Sequence, residues 1–147
     1  FCLSKGLSAP VGSLVCGSSE FIEKARKIRK MVGGGMRQAG HFAAPGIISL
    51  NELVKRLEED HENAKYLAKH ISQIDGIQVD ESKIKTNILF FKLEGFDGNK
   101  FLKQLEKKQI KILMTNSLEG IYRAVLHREV SKEQVETVIK TFKSILA

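Results

Sequence analysis

One lysine in this sequence has neighbours small enough to leave its amine open to a bound molecule. Lys5 lies between Ser4 and Gly6 in the segment LSKGLSAPVGS, residues 3–13. Glycine and serine put little bulk beside the amine, and glycine also permits a tight loop. A lysine with such access can attack a carbonyl carbon and form a Schiff base. The tripeptide SKG alone is typical of a surface loop, so Lys5 needs a second signal before it indicates catalysis.

A second segment further along the chain combines glycines with cations. In KMVGGGMRQAG, residues 30–40, Lys30 and Arg37 flank three consecutive glycines. Such a run destabilises a helix and indicates a bend or a close backbone approach. Lys30 taken alone is equally compatible with a solvated helix end, whereas Arg37 beside the glycines is harder to explain in that way. Arg123 lies in an apolar strand-like segment, and a buried arginine requires an anion.

The elements that would position Lys5 are short and apolar. Residues 1–4 are predicted to be the end of a buried strand whose partners lie before residue 1, and residues 5–12 a loop rich in glycine and proline. The segment SLVCG, residues 13–17, is predicted to be a strand buried on both faces. Cys2 and Cys16 lie in these apolar runs, so we expect small buried hydrophobic residues in a reducing compartment and no disulfide.

A helix is predicted next. Ser18 or Ser19 offers an N-cap, and the helix should run from about Glu20 towards Val32, with acidic residues in its first turn and basic residues near its end. The glycines at 33–35 follow it.

A long amphipathic helix is predicted from about Gly46, ending before Asp75. Its apolar positions recur at steps of three and four residues, as one helix face requires. They are Leu50, Leu53, Val54, Leu57, His61, Ala64, Leu67, Ala68 and Ile71. His61 lies on this stripe and is therefore more simply a core histidine than a catalytic one.

The rest of the chain has the pattern of a small α+β module. Asp97 is predicted to cap one helix, and Ser131 with Gln134 forms a capping-box pattern at the start of the last helix. His127 is expected to order the turn after its strand. Strands are predicted at residues 77–80, 87–93, 110–115 and 121–127.

Composition excludes several classes of function. An apolar fraction of 42% and a charged fraction of 28% are typical of a soluble globular protein. No window approaches the roughly 18 apolar residues of a membrane span, the start has no signal-peptide pattern, and no histidine has metal-ligand spacing. The net charge of +7 raises nucleic acid as a partner. The basic run at residues 23–30 lacks interleaved aromatics, however, so a solvated face or a phosphate site is the better interpretation.

Together these segments resemble the threonine aldolases, pyridoxal-phosphate enzymes of the aspartate aminotransferase-like superfamily. The resemblance covers essentially the whole chain and includes Asp60–His61, Thr86–Asn87 and residues 123–131. Ser8 stands where the family has glycine. Ala124 and Leu126 replace larger or hydroxylated residues, and none of these departures changes an ionisable group.

The resemblance assigns roles to four residues. It implies that Lys5 forms the Schiff base with pyridoxal phosphate, and that Lys30 and Arg37 lie near the cofactor phosphate and the mouth of the site, where a neighbouring subunit contributes. It implies that Arg123 binds the substrate carboxylate, for which a two-pronged guanidinium is suited. It implies no metal. His41 follows the glycine block, but we assign it no role.

The implied fold is α/β, the C-terminal part of the pyridoxal-phosphate-dependent transferase fold. Residues 1–45 would be the end of the large α/β domain, 46–75 the connecting long helix, and 76–147 a small α+β C-terminal domain. In the family, the acid on the pyridine nitrogen, the group stacked on the ring and the helix that binds the phosphate all precede the lysine. We therefore expect this chain to be a C-terminal fragment with half a site, inactive alone.

The implied activity is cleavage of L-threonine or L-allo-threonine to glycine and acetaldehyde, in threonine catabolism and glycine biosynthesis. The family further implies a homo-oligomer, a dimer or homotetramer with shared sites, in the cytosol or an organelle matrix, without membrane or nucleic-acid partners. Three alternatives stay open: a phenylserine aldolase or β-eliminating lyase, an inactive fragment or pseudoenzyme, and, most distantly, a basic nucleic-acid-binding module.

Overall fold

Two separate units appear in the computed structural model, which describes all residues 1–147. The first unit spans Phe1–Arg56 and the second spans Leu57–Ala147. The first contains two helices and the loop that carries Lys5. The second contains a four-stranded sheet with three helices.

The first helix of this unit begins close to where the sequence predicts it, whereas the second begins at Gly40, before the predicted start at about Gly46. Helix α1 spans Ser19–Met31, and the hydroxyl of Ser18 caps it by accepting a hydrogen bond from the Phe21 amide. This confirms the predicted helix and its cap. Helix α2 spans Gly40–Ile48 and leads into a π-helical turn, Ser49–Leu53.

The two strands predicted around the Lys5 loop are wrong for this structure. Residues 1–4 and 13–17 form no named strand, and their pairing is a single antiparallel bridge between Cys2 and Ser13. Leu14 and Val15 are exposed, although SLVCG was expected to be buried on both faces. A strand buried on both faces needs strands beside it and elements covering it. One bridge supplies neither within residues 1–147, and the partner strands were predicted to lie before residue 1.

The predicted long helix is interrupted before Leu57. Pro45 lies inside α2 and has no amide hydrogen to donate, and the Ser49 hydroxyl donates to the Pro45 carbonyl oxygen at 2.9 Å. The π-helical turn follows directly, as is common where a helix ladder is perturbed. Regular α-helix resumes in the second unit as α3, Leu57–Ile71, which ends before Asp75 as predicted.

The second unit folds as one antiparallel sheet in the order β1-β2-β4-β3. The strands are β1 Ile77–Gln78, β2 Ile88–Leu93, β3 Leu113–Asn116 and β4 Ile121–Val125. All four are shorter than predicted: β1 has two residues, β2 begins at Ile88 rather than Asn87, β3 begins at Leu113 rather than Ile110, and β4 ends at Val125 rather than His127. A short 3₁₀ turn, Glu81–Lys83, connects β1 to β2.

Helices α4, Gly98–Lys107, and α5, Lys132–Leu146, complete this unit with α3. Asp97 caps α4, and Ser131 with Gln134 forms the predicted capping box of α5. A single core joins the three helices to one sheet face. Its largest fully buried side chains include Tyr122, Phe101, Phe142, Ile71 and Leu89. None of the helices in the structure has the length and apolar character needed to cross a membrane.

Candidate functional site

The Lys5 loop is held by backbone hydrogen bonds and by buried side chains on both sides of the lysine. The Leu3 amide donates to the Gly12 carbonyl at 2.9 Å, and the Ala9 amide donates to the Leu3 carbonyl at 3.0 Å. Leu3, Leu7 and Ala9 are buried, whereas Lys5 is exposed. An exposed amine on an anchored loop is available to a bound carbonyl compound without unfolding of the loop.

Ser8 gives this loop an unusual backbone. Its φ of 57° lies in the left-handed region, and its amide donates to the Lys5 carbonyl at 2.8 Å. An L-residue with a side chain is strained there, and glycine is not. The conformation therefore suits the glycine expected from the resembling family better than the serine present in this chain.

Cys2 is a residue of this loop that the sequence interpretation missed. The Ser13 hydroxyl donates to the Cys2 sulfur at 3.4 Å. This hydrogen bond, aided by the Lys5 ammonium and opposed by burial, lowers the pKa of the Cys2 thiol below its ordinary value. The expectation that both cysteines are buried is wrong: Cys2 is half-buried and Cys16 is exposed. The available signal was the position of Cys2 three residues before Lys5.

The glycine block turns the chain sharply after α1. The Gly34 amide donates to the Arg29 carbonyl at 2.7 Å, and a Cβ on Gly34 would lie 2.8 Å from that oxygen. Gly33 has a φ of 82°, which also favours glycine. A side chain at Gly34 would thus collide with the backbone, and the predicted close approach is a real property of this segment.

Lys30 and Arg37 are both exposed on either side of this turn. The Lys30 amine lies over the glycines, 3.6 Å from where a Cβ on Gly35 would be. Nothing in the structure joins Lys5, Lys30 and Arg37 to one another by a hydrogen bond. The two cations nevertheless have the exposure that a phosphate ligand requires, and their roles stay a prediction.

Arg123 lies in β4 on the sheet face opposite the core. Its neighbours across the sheet are Phe90 in β2 and Leu113 in β3, which are 54% and 53% exposed. The Arg123 side chain is half-buried, and its Nε is buried without a hydrogen-bond partner. A buried donor on a charged group without a partner is costly, so this position favours an anionic ligand.

The histidine and asparagine at the ends of these strands have structural contacts. The Asn87 side-chain amide donates to the Leu126 carbonyl at 2.6 Å, which joins β2 to the chain after β4. The Glu129 amide donates to His127 Nδ1 at 3.3 Å, and the Val130 amide donates to the His127 carbonyl at 2.8 Å. This confirms the prediction that His127 orders the turn after its strand.

A cavity of about 410 Å³ lies in the second unit between α5 and the chain that precedes β3. Its lining includes Ile110, Ile112, Leu126 and Val138. None of the four predicted site residues lines it. The structure contains no group of three or more histidine, cysteine, aspartate or glutamate side chains arranged to hold a metal ion.

The known sequences that this chain matches include one lyase family and several threonine aldolases. Residues 1–94 match the sequence profile of the family described as beta-eliminating lyase. The chain is 39% identical over 150 residues to low-specificity L-threonine aldolase 1 of Arabidopsis thaliana, with 99% of this chain and 41% of the relative covered. It is 38% identical over 146 residues to low specificity L-threonine aldolase of Escherichia coli K12, covering 99% of this chain and 42% of that one. The chain therefore spans about two fifths of the length of these relatives.

Solved structures share the fold. A Listeria monocytogenes protein provisionally assigned as an L-allo-threonine aldolase matches with a TM-score of 0.76 and 14% identity, covering 97% of this chain and 43% of that chain. Alanine–glyoxylate aminotransferase of a Nostoc species matches with a TM-score of 0.70 and 19% identity, covering 99% and 47%. These similarities confirm the predicted fold class, α/β with the architecture of the pyridoxal-phosphate-dependent transferases.

Proposed function

Because this chain belongs to the beta-eliminating lyase family, we propose that its protein is a pyridoxal-phosphate-dependent aldehyde-lyase that cleaves L-threonine or L-allo-threonine to glycine and acetaldehyde. One observation carries the proposal: Lys5 is exposed on a loop whose flanking residues are buried and hydrogen-bonded. The proposed cellular setting is threonine catabolism and glycine biosynthesis in the cytosol or an organelle matrix.

The residues present fit the cofactor chemically. Pyridoxal phosphate, when bound, supplies an aldehyde for a lysine amine and a conjugated ring that withdraws electrons from the amino-acid Cα. Lys5 offers the exposed amine, and small neighbours leave room beside it. Lys30 and Arg37 offer exposed positive charge that would hold the phosphate group.

Arg123 is proposed to bind the substrate carboxylate. Its buried Nε lacks a partner, and a carboxylate oxygen would satisfy it while the rest of the guanidinium holds the second oxygen. Fixing the carboxylate orients the amino acid relative to the amine that must react. Phe90 and Leu113 flank Arg123 on the two neighbouring strands and would provide apolar surface beside the bound carboxylate.

The wider organisation is also proposed from the family. Residues 1–45 would belong to the cofactor-binding domain, 46–75 to a connecting helix and 76–147 to a small C-terminal domain. The protein would form a homo-oligomer, a dimer or tetramer, whose sites are shared between subunits. The matched relatives extend well beyond the length of this chain, so we expect the 147-residue chain alone to show no turnover.

Chemical trapping tests the assignment of Lys5. The protein would be loaded with pyridoxal phosphate and reduced with borohydride, and the labelled lysine identified by peptide mass mapping. We expect the label on Lys5 and its loss in Lys5→Ala, with Lys27→Ala as the matched control because Lys27 is an exposed lysine in the same unit. Labelling of other lysines with Lys5 unmodified would refute the assignment.

Product analysis separates the aldolase from the second candidate, a β-eliminating lyase, which the family description itself favours. The protein from the full reading frame would be incubated with threonine, and glycine with acetaldehyde should appear. A β-elimination would instead release ammonia and a keto acid, and detection of those products alone would favour the second candidate.

A further inference from the structure

The cavity of about 410 Å³ beside α5 lies where the pairing of β3 with β4 stops. We propose that this cavity is a binding site for a short aliphatic carboxylate, whose apolar body packs inside while its carboxylate lies at the mouth. The site is separate from the proposed catalytic function, because none of the residues assigned to cofactor or substrate lines the cavity. Its volume lies in the range of about 300–1,000 Å³ that is usual for small-molecule sites.

The cavity lies between two segments that diverge. The ladder between β3 and β4 ends with the pair Leu113 and Arg123. The same register would next place Lys111 opposite Val125, and both of these residues line the cavity. Residues 110–112 form no strand, however, although an apolar strand pattern begins there. The space between the two segments is therefore open to a ligand instead of being closed by a backbone ladder.

The backbone of Val125 faces this space. The Leu126 amide donates to the Asn87 carbonyl at 2.9 Å, on the β2 side of β4. Successive residues of an antiparallel strand direct their peptide groups to opposite sides, so the Val125 amide points away from β2. This amide makes no backbone hydrogen bond to residues 110–112. It is therefore available to donate to a carboxylate oxygen of a ligand.

The interior of the cavity is apolar. Its lining includes side chains from α3, from the segment before β3, from β4 with the residue that follows it, and from α5. They are Leu67, Ile110, Ile112, Ala124, Leu126 and Val138. Ile110, Ile112 and Val138 are only half-buried, so a ligand with an aliphatic body would remove their remaining apolar surface from water.

The charged side chains that line the cavity favour an anionic group. They are Lys108 and Lys111, opposed by Glu129, and all three are exposed at the mouth. Two cations against one carboxylate, together with the Val125 amide, favour a ligand carboxylate over an ammonium or an uncharged group. The combination of an apolar interior and a cationic mouth defines the class of ligand.

Titration followed by amide NMR spectra of the isotope-labelled 147-residue chain tests the site without cofactor or substrate. The probe is isovalerate. Isovaleramide keeps the same aliphatic body without the charge, and acetate keeps the charge without the body. We expect isovalerate to bind about tenfold more tightly than acetate and about fivefold more tightly than isovaleramide. Saturable shifts should be largest at the amides of Lys111 and Val125.

Four variants test the lining. Lys111→Gln should weaken isovalerate binding about threefold, and Glu129→Gln should strengthen it. Lys140→Gln is the matched control and should change nothing, because Lys140 is exposed on α5 but does not line the cavity. Thr137→Phe places a ring at the exposed mouth and should abolish saturable binding. An unchanged urea midpoint in this last variant shows that the second unit is still folded.

Several results would overturn the site. They are equal affinities for isovalerate and isovaleramide, wild-type affinity in Thr137→Phe, and shifts that spread over surface lysines without saturation. Shifts confined to Phe90 and Arg123, on the opposite face of the sheet, would place the carboxylate at Arg123 and also reject the cavity. Failure of borohydride trapping at Lys5 would refute the proposed function and leave this site in place, since the titration involves neither Lys5 nor the cofactor.

Discussion

The two units of this protein differ most in how far their apolar side chains are buried. In the second unit, Leu57–Ala147, three helices and one sheet face share a continuous core, in which Phe101, Tyr122 and Phe142 are fully buried. In the first unit, Phe1–Arg56, α1 buries no residue at all. Most of the exposed large apolar side chains lie in this first unit, including Phe21, Met31, Val32, Phe42 and Ile48.

The contrast shows that a helix can be predicted correctly from its local sequence and still not be packed into a core. Helix α1 has its cap and a suitable charge arrangement, yet none of its residues is buried. Helix α5 has the same kind of cap and also inserts Val135, Ile139 and Phe142 into a core. Since burial is the main source of helix stability in proteins, the two helices should respond differently to the same kind of substitution.

The largest difference is expected from removing an aromatic ring in each unit. Phe101 is 0% exposed and packs against Phe96, Tyr122 and Phe142. Phe101→Ala should therefore lower the free energy of unfolding by about 3–5 kcal/mol. Urea unfolding followed by tyrosine fluorescence measures this, because both tyrosines, Tyr66 and Tyr122, belong to the second unit and the chain has no tryptophan.

The matched substitution in the first unit is Phe21→Ala. Phe21 is 51% exposed in α1, and we expect the tyrosine-monitored transition to remain unchanged. Leu118→Ala controls for the second unit, since Leu118 is 98% exposed and should also have little effect. A loss of several kcal/mol in Phe21→Ala would show that the two units unfold together and would break the comparison.

The next largest difference is expected between substitutions of one arginine in each unit. Arg123 is half-buried in a sheet with an unpaired Nε, whereas Arg37 is exposed after the glycine turn. Arg123→Lys keeps the charge but loses the two-pronged geometry, so it should cost about 2–4 kcal/mol of transition-state stabilisation. Arg37→Lys should cost less than about 1 kcal/mol, as exposed ion pairs do.

The measurement is kcat/KM for threonine cleavage with protein from the full reading frame. Equal efficiencies of wild type and Arg123→Lys would remove Arg123 from the proposed site. A larger loss in Arg37→Lys than in Arg123→Lys would reverse the comparison and place the more demanding anion contact in the first unit.

A smaller difference is expected from the two serine caps. Ser131 closes the capping box of α5, and Ser131→Ala should lower the free energy of unfolding of the second unit by about 1 kcal/mol. Ser18→Ala removes the equivalent cap from α1 and should only fray that helix. Circular dichroism together with tyrosine fluorescence separates the outcomes: the Ser18 variant should lose helical signal without a shift of the fluorescence midpoint. Equal midpoint shifts would contradict this.

The smallest effect is expected at Ser8. Its left-handed backbone is strained for serine, so Ser8→Gly should slow amide exchange in the Lys5 loop, equivalent to about 0.5 kcal/mol of local stabilisation after the entropy cost of glycine. Ser4→Gly is the control and should act in the opposite direction, because the backbone at Ser4 is not left-handed. Faster exchange in Ser8→Gly would show that the serine side chain, and not the φ angle, stabilises the loop.

Local signals predicted much of the second unit correctly. Asp97 and Ser131 cap helices by hydrogen bonds to amides two or three residues away, so the relevant partners are adjacent in the sequence. His127 orders its turn for the same reason. Strand ends were less accurate because they depend on the neighbouring strand: β3 begins only at Leu113, where pairing with Arg123 starts.

The sequence by itself determined the helix caps, the exposed position of a lysine among small residues and the place of an arginine in an apolar strand, because each depends on residues close in the chain. Only the tertiary structure decided the strand order β1-β2-β4-β3, the exposure of residues 13–17 and the unpaired Nε of Arg123. It also decided the hydrogen bond from the Ser13 hydroxyl to the Cys2 sulfur. Apolar and polar patterns specify what a residue requires of its surroundings, and contacts between distant segments determine whether the fold supplies it.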